Sequence, residues 1–200
     1  ITDGWSLGVF LRDLAALYTD LCRGAPPTLA DLPVRYGDYA RWQERELEGE
    51  RAGASEAWWK QHLAGLPRLD LPAPRAPAQG RSYAGETCTF KLSAELTAGL
   101  KKLAAEASCT LFVALLSAWV AVLHRHSGQE DFGIGTISAG RDRAELRGLI
   151  GFFTNTLVLR CDLSGDPDGL TLARRLSRVL DEALHHQVVP FDRVVSTTET

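Results

Sequence analysis

The chain has 200 residues, of which 45% are hydrophobic and 24% are charged, and its formal net charge is -3 at pH 7. This length and apolar content predict one domain or two lobes with a sizeable core and exclude a disordered tail. A slightly acidic chain has no electrostatic reason to bind nucleic acid or an anionic membrane, so we expect neither as a partner. The longest apolar run, residues 111–123, is too short to span a bilayer.

The cysteines indicate neither a metal centre nor disulfides. Cys22, Cys88, Cys109 and Cys161 lie far apart, and none has another cysteine or a histidine at the spacing of a zinc site. Isolated thiols are typical of a reducing compartment, and no signal peptide is visible. We therefore expect a cytoplasmic protein with buried, unpaired thiols and no bound metal.

From about Trp5 onward the sequence predicts a helix with one buried apolar face. Gly24 and the pair Pro26-Pro27 end the pattern, as a helix stop should. The residues of the apolar face are Leu7, Phe10, Leu11, Leu14, Leu17, Tyr18 and Leu21. Because the chain contains no methionine, we also expect Ile1 to be a cut edge of a longer sequence.

Asp3, directly before this helix, admits two interpretations. As an N-cap, its carboxylate would accept hydrogen bonds from the first free N–H groups of the helix and contribute ~1 kcal/mol. Alternatively, Asp3 is a buried charge that holds a distant arginine, and Gly4 is a point of close backbone approach. Arg141 follows Ala139-Gly140 at a predicted strand end and is the natural candidate for an arginine turned inward.

The rest of the chain predicts a mixture of helices and strands. Helical patterns cover residues 36–50, 55–63, 94–103, 111–124 and 172–183, and extended patterns cover 87–92, 132–137 and 157–163. Ser93 and Thr110 are the expected N-caps of two of these helices. The helix after Thr110 is apolar nearly all round, which is typical of a core helix. Strands mixed with helix pairs predict α/β or α+β layers.

Two further stretches are candidate functional segments. The pair His185-His186 has no acidic residue at ligand spacing, and adjacent helical residues diverge by about 100°, so we expect a structural or surface role. The stretch 148–156 places Phe152-Phe153 between two glycines and a strand. It is either a tight loop that packs aromatics into the core or the floor of a channel to which Asn155 presents a donor and an acceptor.

Four ordered motifs in this chain resemble those of the condensation domains of nonribosomal peptide synthetases. Ile1-Thr2-Asp3-Gly4 is similar to the end of the family's His-His-x-x-x-Asp-Gly motif, whose histidines would lie just upstream of Ile1. Three more segments resemble the tyrosine-rich, Ile-Gly-x-Phe-x-Asn-Thr and His-Gln-x-x-Pro-Phe-Glu motifs of the family. Their residues here are Tyr36, Asp38, Tyr39 and Trp42; Ile150, Gly151, Phe152, Phe153, Asn155 and Thr156; and His186, Gln187, Pro190 and Phe191.

The resemblance implies an α/β fold of two chloramphenicol-acetyltransferase-like lobes around a tunnel, incomplete at both ends in this chain. Residues 1–65 would end the N-terminal lobe, the proline-rich residues 66–82 would connect the lobes, and residues 83–200 would begin the C-terminal lobe. By family analogy Asp3 would pair with the arginine that precedes the Ile-Gly-x-Phe motif, and Arg141 is the expected partner. Gly4, Trp5 and Ser6 would help to shape the site.

The resemblance also implies an acyltransferase-type reaction. Upstream and downstream peptidyl carrier proteins, with the adenylation domains of the same synthetase, would deliver thioester substrates on 4'-phosphopantetheine arms, and no cofactor would bind directly. The acceptor amine would attack the donor thioester, and the second motif histidine would orient or deprotonate it. Without the histidine pair, residues 1–200 are expected to be inactive alone.

Two alternatives to amide formation stay open. The first is a sibling of the same fold with other chemistry, such as an epimerisation, ester-forming or cyclising domain. The second is a non-catalytic recruiting domain, which keeps the fold and lacks the histidines. The residues upstream of Ile1 discriminate between these possibilities, because an intact His-His pair argues strongly against the recruiting domain.

Overall fold

The computed structural model describes residues 1–72 and 85–198. The helices of these residues are α1 (Gly4–Cys22), α2 (Tyr36–Leu47), α3 (Glu50–His62), α4 (Ala94–Ala107), α5 (Leu111–Ser127), α6 (Gly169–His185) and α7 (Phe191–Thr198). The strands are β1 (Asp131–Ser138) and β2 (Asn155–Asp162), and a 3-10 turn covers Ala144–Leu146. All predicted helices are therefore confirmed, and α7 is an addition that the sequence patterns did not indicate.

The two strands form one two-stranded sheet. They run antiparallel, because Gly133 lies beside Val158 and Gly135 lies beside Thr156. The alternation predicted along the second strand is confirmed, since every second residue of β2 from Leu157 onward is buried. These buried residues are Leu157, Leu159 and Cys161.

The chain folds into two compact units that each combine several stretches of sequence. Unit 1 consists of residues 1–64, 135–157 and 183–200, and unit 2 of residues 65–134 and 158–182. The predicted lobe boundaries at residues 65 and 82 refer to the complete family fold and stay a prediction. Residues 73–82 of the predicted connector lie outside the described residues.

One core cluster of unit 1 joins the segment between the two strands to helix α2. Leu146, Leu149 and Phe153 are buried together, and Tyr36 and Tyr39 from α2 pack against them. Helix α3 contacts both α2 and α7. The loop residues of this core come from the segment between β1 and β2, which also holds the candidate site described below.

Unit 2 is built on the α4–α5 pair, whose caps follow the sequence prediction. Ser93 accepts a hydrogen bond from the backbone N–H of Leu96, and Thr110 accepts one from Val113, so each helix begins where its cap was expected. Asp131 of β1 receives two hydrogen bonds from Arg160 of β2, at 2.9 and 2.6 Å. These bonds raise the pKa of Arg160, and the negative charges of Asp131 and Asp162 add to the effect.

The predicted burial of two helices is wrong. The seven apolar side chains of the α1 face are between 37% and 77% exposed, and only Ser6, Val9 and Asp20 of α1 are buried. Helix α5 buries one face only. Its other face exposes Leu111, Phe112, Leu115, Trp119 and Val122. Periodicity identifies an apolar face, but burial also needs a surface that covers it, and the described residues supply none here.

Two smaller expectations also fail. Residues 87–92 form no strand and are exposed, because a strand needs a hydrogen-bonding neighbour and the described residues place none beside them. The thiols are not all buried: Cys22 and Cys88 are exposed, Cys109 is intermediate, and only Cys161 is buried. All four are free thiols, as predicted.

Among the described residues, no single helix is long and apolar enough to cross a bilayer. Helices α4 and α5 satisfy the length and composition requirement only as a pair bent by 104°.

Candidate functional site

The site begins at the start of α1, where Asp3 is the N-cap. Asp3 has an extended backbone, and its carboxylate accepts a hydrogen bond of 2.8 Å from the backbone N–H of Ser6. This bond satisfies one of the N–H groups that the first turn of a helix leaves without a partner. The capping interpretation of Asp3 is therefore confirmed.

The arginine half of the second interpretation of Asp3 is confirmed as well, whereas the expected close backbone approach at Gly4 is wrong, because a Cβ atom there would meet nothing within 4 Å. Arg141 Nη2 lies 3.2 Å from Asp3 Oδ1 and 3.4 Å from Oδ2, and both residues are buried, at 8% exposure for Asp3 and 5% for Arg141. Phe153 adds a backbone N–H bond of 3.1 Å to Oδ2. One carboxylate thus caps a helix and fixes a loop 138 residues further along the chain.

The surroundings of Asp3 keep its carboxylate ionised. Burial by itself raises the pKa, but hydrogen bonds from Ser6 and Phe153 and the positive charge of Arg141 outweigh that effect, so the pKa of Asp3 lies below its ordinary value. An ionised carboxylate whose two oxygens both accept hydrogen bonds is poorly suited to proton transfer. It is well suited to holding other groups in place.

Arg141 reaches Asp3 because the chain turns sharply just before it. Gly140 has a φ of +63°, and a Cβ atom there would overlap the carbonyl of Phe153, so only glycine fits. The guanidinium then lies 4.1 Å from the centre of the Phe153 ring and 5.7 Å from that of Trp5. Trp5 itself donates its indole N–H to the carbonyl of Arg147 at 3.0 Å.

Arg141 also holds the loop that follows it. Its Nη1 donates to the carbonyls of Leu146 and Leu149, at 2.5 and 2.9 Å. The buried Nε is without a hydrogen-bond partner among residues 1–72 and 85–198. Four of the five guanidinium N–H groups therefore have acceptors available at the start of α1 or on the loop.

The Ile-Gly-x-Phe segment packs against the tyrosine-rich helix α2. A Cβ atom at Gly151 would overlap the ring of Tyr36, so the absence of a side chain permits this close approach. The Tyr36 hydroxyl donates to the carbonyl of Phe152 at 2.9 Å, and the Tyr36 and Phe153 rings meet edge to face at 5.2 Å. Phe153 is buried whereas Phe152 is 50% exposed, so only one of the two aromatics packs into the core.

Asn155 joins the third motif to the fourth. Its amide nitrogen donates to the carbonyls of Gln187 and Val189, both at 3.0 Å, and its oxygen accepts from the backbone N–H of Phe191 at 3.1 Å. The donor and acceptor that the sequence indicated are thus used to fix the backbone between α6 and α7.

The His-Gln motif is anchored in a different way at its first residue. Trp58 stacks between the rings of His62 and His186, with ring centres 4.4 and 4.3 Å away, and Ser55 lies 3.1 Å from His186 Nδ1. Trp59 donates its indole N–H to the carbonyl of His186 at 3.0 Å. The sequence patterns did not single out this cluster, because aromatic pairs at adjacent positions carry no periodic signal.

Asp38 has a local role at the start of α2. It accepts from the backbone N–H of Arg35 at 2.9 Å and pairs with Arg41 at 2.6 Å, on the protein surface. Both hydrogen bonds lower the pKa of Asp38, and the bond from the Arg35 backbone has the larger effect. Both partners lie on α2 or directly before it, so these bonds do not join Asp38 to the other motifs.

Three of the four motifs border one cavity of about 500 Å³ in unit 1. Motif residues in its lining are Tyr36, Tyr39, Trp42, Phe152, Phe153, Asn155, Gln187 and Pro190. Charged residues that sequence reasoning missed also line it: Glu46, Arg51, Asp142 and Arg143. Asp192, which stands at the Glu position of the His-Gln-x-x-Pro-Phe-Glu motif, lines it as well. The Arg143 guanidinium lies 4.5 Å from the centre of the Trp42 ring, so the cavity wall combines cations with aromatic faces.

The described residues contain no group of three or more potential metal ligands.

The condensation-domain family matches this sequence over residues 1–200. The chain belongs to that family.

Relatives and solved structures agree with this assignment. This condensation domain is 46% identical to a component of the linear gramicidin synthase of Brevibacillus parabrevis over 200 residues, which are 100% of this chain and 4% of that protein. It is 32% identical to the X-domain from teicoplanin biosynthesis, with a TM-score of 0.88, over 99% of this chain and 45% of that one. That X-domain has also been solved in complex with OxyB.

The fold is shared more widely than the sequence. The first condensation domain of the calcium-dependent antibiotic synthetase has a TM-score of 0.81 at 22% identity, over 96% of this chain and 42% of that one. The predicted fold class, a mixed α/β condensation-domain fold, is thereby confirmed. The chain spans less than half of these solved structures and a few per cent of the synthetase.

Proposed function

We propose that this chain is part of a condensation domain that forms amide bonds within a nonribosomal peptide synthetase. The observation that carries the proposal is the buried connection between Asp3 and Arg141, because it joins the end of the His-His-x-x-x-Asp-Gly motif to the loop before the Ile-Gly-x-Phe motif. Forming a buried ion pair costs desolvation free energy, and removing either partner strongly destabilises the folded protein. Such a pair suits a site in which one end of the catalytic motif must be held in a fixed position.

The reaction joins two substrates that arrive on carrier proteins. The acceptor amine nitrogen attacks the carbonyl carbon of the donor thioester, a C–N bond forms, and the C–S bond breaks. The proton lost by the amine passes to the sulfur of the donor's phosphopantetheine arm, which leaves as a thiol. Each arm belongs to its carrier protein and enters this domain as part of the substrate.

In this proposal the residues of the chain position the reacting groups. Asp3 and Arg141 fix the motif, and Gly4, Trp5 and Ser6 shape its surroundings. Gly151 and Asn155 hold the neighbouring backbone segments together. The lowered pKa of Asp3 supports this division, because a carboxylate that stays ionised is a poor proton donor. Amine activation is assigned to the second histidine of the family motif, upstream of Ile1.

The partners follow from the same chemistry. We expect the upstream and downstream peptidyl carrier proteins to dock on this domain, and the adenylation domains of the synthetase to load them. The similarity to a linear gramicidin synthase supports this setting.

The test uses the full-length polypeptide that contains this sequence. Purified synthetase with both carriers loaded is expected to accumulate the condensed product on the downstream carrier, detected by intact-protein mass spectrometry. The same carriers mixed with isolated residues 1–200 are expected to give no product. Absence of the amide product with full-length protein and loaded carriers contradicts the proposal.

A second candidate function is recruitment of another protein without catalysis. The similarity to the teicoplanin X-domain, solved in complex with OxyB, favours it as the alternative. A recruiting domain predicts no amide product and a stable complex with a separate enzyme. Sequencing the codons directly upstream of Ile1 separates the two, because a His-His-x triplet there completes the motif for catalysis.

A further inference from the structure

The buried hydroxyl of Ser6 contacts Asp3, Arg141 and the Gly151 backbone, although Ser6 lies outside the Asp-Gly end of the family motif. It is on the first turn of α1 and is 0% exposed. Its hydroxyl oxygen accepts from Arg141 Nη2 at 2.8 Å and from the backbone N–H of Gly151 at 3.0 Å. Its single hydrogen has two acceptors at 2.7 Å, Asp3 Oδ1 and the carbonyl of Gly151.

The serine hydroxyl joins the Asp3–Arg141 pair to the Gly151 backbone. Arg141 Nη2 lies closer to Ser6 Oγ, at 2.8 Å, than to either oxygen of Asp3, at 3.2 and 3.4 Å. The backbone of Gly151 contacts the hydroxyl through both its N–H and its carbonyl. Since a hydroxyl has one donor and two acceptor positions, all of its hydrogen-bonding capacity is used.

We propose that Ser6 is a positioning residue, which fixes the start of α1, and the motif residues before it, against the loop around Gly151. The proposal rests on the proposed function, because the group to be positioned is the motif histidine upstream of Ile1. Ser6 touches no reacting atom. It acts by holding Asp3, Arg141 and the Gly151 peptide in one arrangement, and a small displacement of a catalytic group is enough to slow a reaction by orders of magnitude.

The variants separate hydrogen bonding from packing. Ser6→Ala removes the hydroxyl, whereas Ser6→Cys keeps nearly the same volume and replaces a strong donor and acceptor by weak ones. Ser117→Ala is the matched control. Ser117 is also a buried serine in a helix, at 3% exposure, but its hydroxyl donates only to the carbonyl of Val113, one turn earlier in α5.

The experiment measures condensation by the full-length polypeptide with both carriers loaded, at a temperature where each variant is folded by circular dichroism. Ser6→Ala and Ser6→Cys are expected to lower kcat on the order of 10- to 100-fold and to leave KM for each loaded carrier within about twofold. Ser117→Ala is expected to change neither. A folded Ser6→Ala enzyme with unchanged kcat overturns the proposal, and so does an equal loss of kcat in Ser117→Ala.

Amide hydrogen exchange tests the same inference without any activity. Loss of the Ser6 hydroxyl is expected to accelerate exchange at the backbone N–H groups of Gly151 and Phe153, and Ser117→Ala is expected to leave both unchanged. Unchanged protection in Ser6→Ala overturns the inference whether or not the wild-type protein makes an amide. If the wild-type protein makes no product but Ser6→Ala still accelerates exchange at these two amides, the proposed reaction is contradicted and the positioning role of Ser6 is supported. If Ser6→Ala does not fold, the kinetic and hydrogen-exchange measurements are made on Ser6→Cys.

Discussion

Two ion pairs in this protein show that short distance and structural importance are different properties. Arg160 and Asp131 join the two strands in unit 2 with bonds of 2.9 and 2.6 Å, yet their side chains are 29% and 36% exposed. Arg141 and Asp3 in unit 1 are further apart, at 3.2 Å, but their side chains are 1% and 2% exposed. Water can solvate the first pair after one partner is lost, but it cannot solvate the second. The energetic consequence of losing a partner therefore depends on burial more than on distance.

The largest effect is expected from Arg141→Met. This change leaves the Asp3 carboxylate buried without its counter-charge, so the free energy of unfolding should fall by about 3–5 kcal/mol. Chemical denaturation of the wild type and the variant measures the difference. Arg160→Met is the matched control, with a loss of about 1 kcal/mol or less. Equal losses in the two variants would show that burial does not distinguish the pairs.

Acid should remove the contribution of Asp3 in the wild-type protein. The folded-state pKa of Asp3 is lowered, so its stabilisation is fully present above the unfolded-state pKa and is lost as the pH falls through the lower, folded-state pKa. The unfolding free energy of wild type should thus approach that of Asp3→Asn at acidic pH and exceed it at neutral pH. Parallel denaturation series of the two proteins from pH 7 downward test this. A difference that does not shrink in acid would contradict the assignment.

Gly151→Ala should destabilise unit 1 by about 1–3 kcal/mol, because the added methyl group overlaps the Tyr36 ring in a packed interior. Gly53→Ala is the matched control, since Gly53 lies in α3 with open space around it. Alanine there should stabilise the helix by about 0.5–1 kcal/mol. Opposite signs in thermal unfolding are the expected result, and a neutral Gly151→Ala would show that Tyr36 moves away without cost.

Asn155→Ala should cost about 1–3 kcal/mol, because it leaves the part-buried carbonyls of Gln187 and Val189 and the N–H of Phe191 without their partner. Gln129→Ala is the comparison. Its amide also bonds two backbone groups, of Arg68 and Asp70, but those bonds are exposed to water. The Gln129 change should therefore cost less, and denaturation midpoints of the two variants decide the order.

The smallest effect concerns salt. The contribution of Arg160 and Asp131, measured by a double-mutant cycle, should decrease between 0.05 and 1 M NaCl because exposed charges are screened within about 3 Å at the higher concentration. The coupling between Arg141 and Asp3 should change much less, since salt does not enter a buried site. A coupling of Arg141 and Asp3 that falls with salt as steeply as the exposed one would contradict its burial.

Local patterns predicted most of the secondary structure of this fold. The helix start at Asp3, the caps Ser93 and Thr110, and the alternation of β2 all depend on neighbours within a few residues, and each was correct. The exposed faces of α1 and α5 were not predictable in this way. Apolar periodicity describes one element, whereas burial depends on a second surface.

The site was predictable only where a residue type restricts its possible partners. A carboxylate before a helix and an arginine after a strand pointed to each other through the family motif, and the structure places them in contact. The bonds from Ser6 to Gly151 span 145 residues, and a serine on a helix has no chemical feature that specifies so distant a partner. The stacking of Trp58 on His186 was missed for the same reason, because an aromatic ring does not specify which distant ring it contacts.

The four thiols provide a ready set of probes for local opening. Burial, with a smaller contribution from the charge of Asp131, raises the pKa of Cys161 to about 12, so at pH 7 its reactive thiolate is populated at roughly one part in 10⁵. Cys22 and Cys88 are exposed in the folded protein. An alkylating reagent should therefore modify Cys22 and Cys88 first and reach Cys161 only when strand β2 separates from its surroundings. The rate of that last modification reports how often unit 2 opens in the native state, without denaturant and without any added label site.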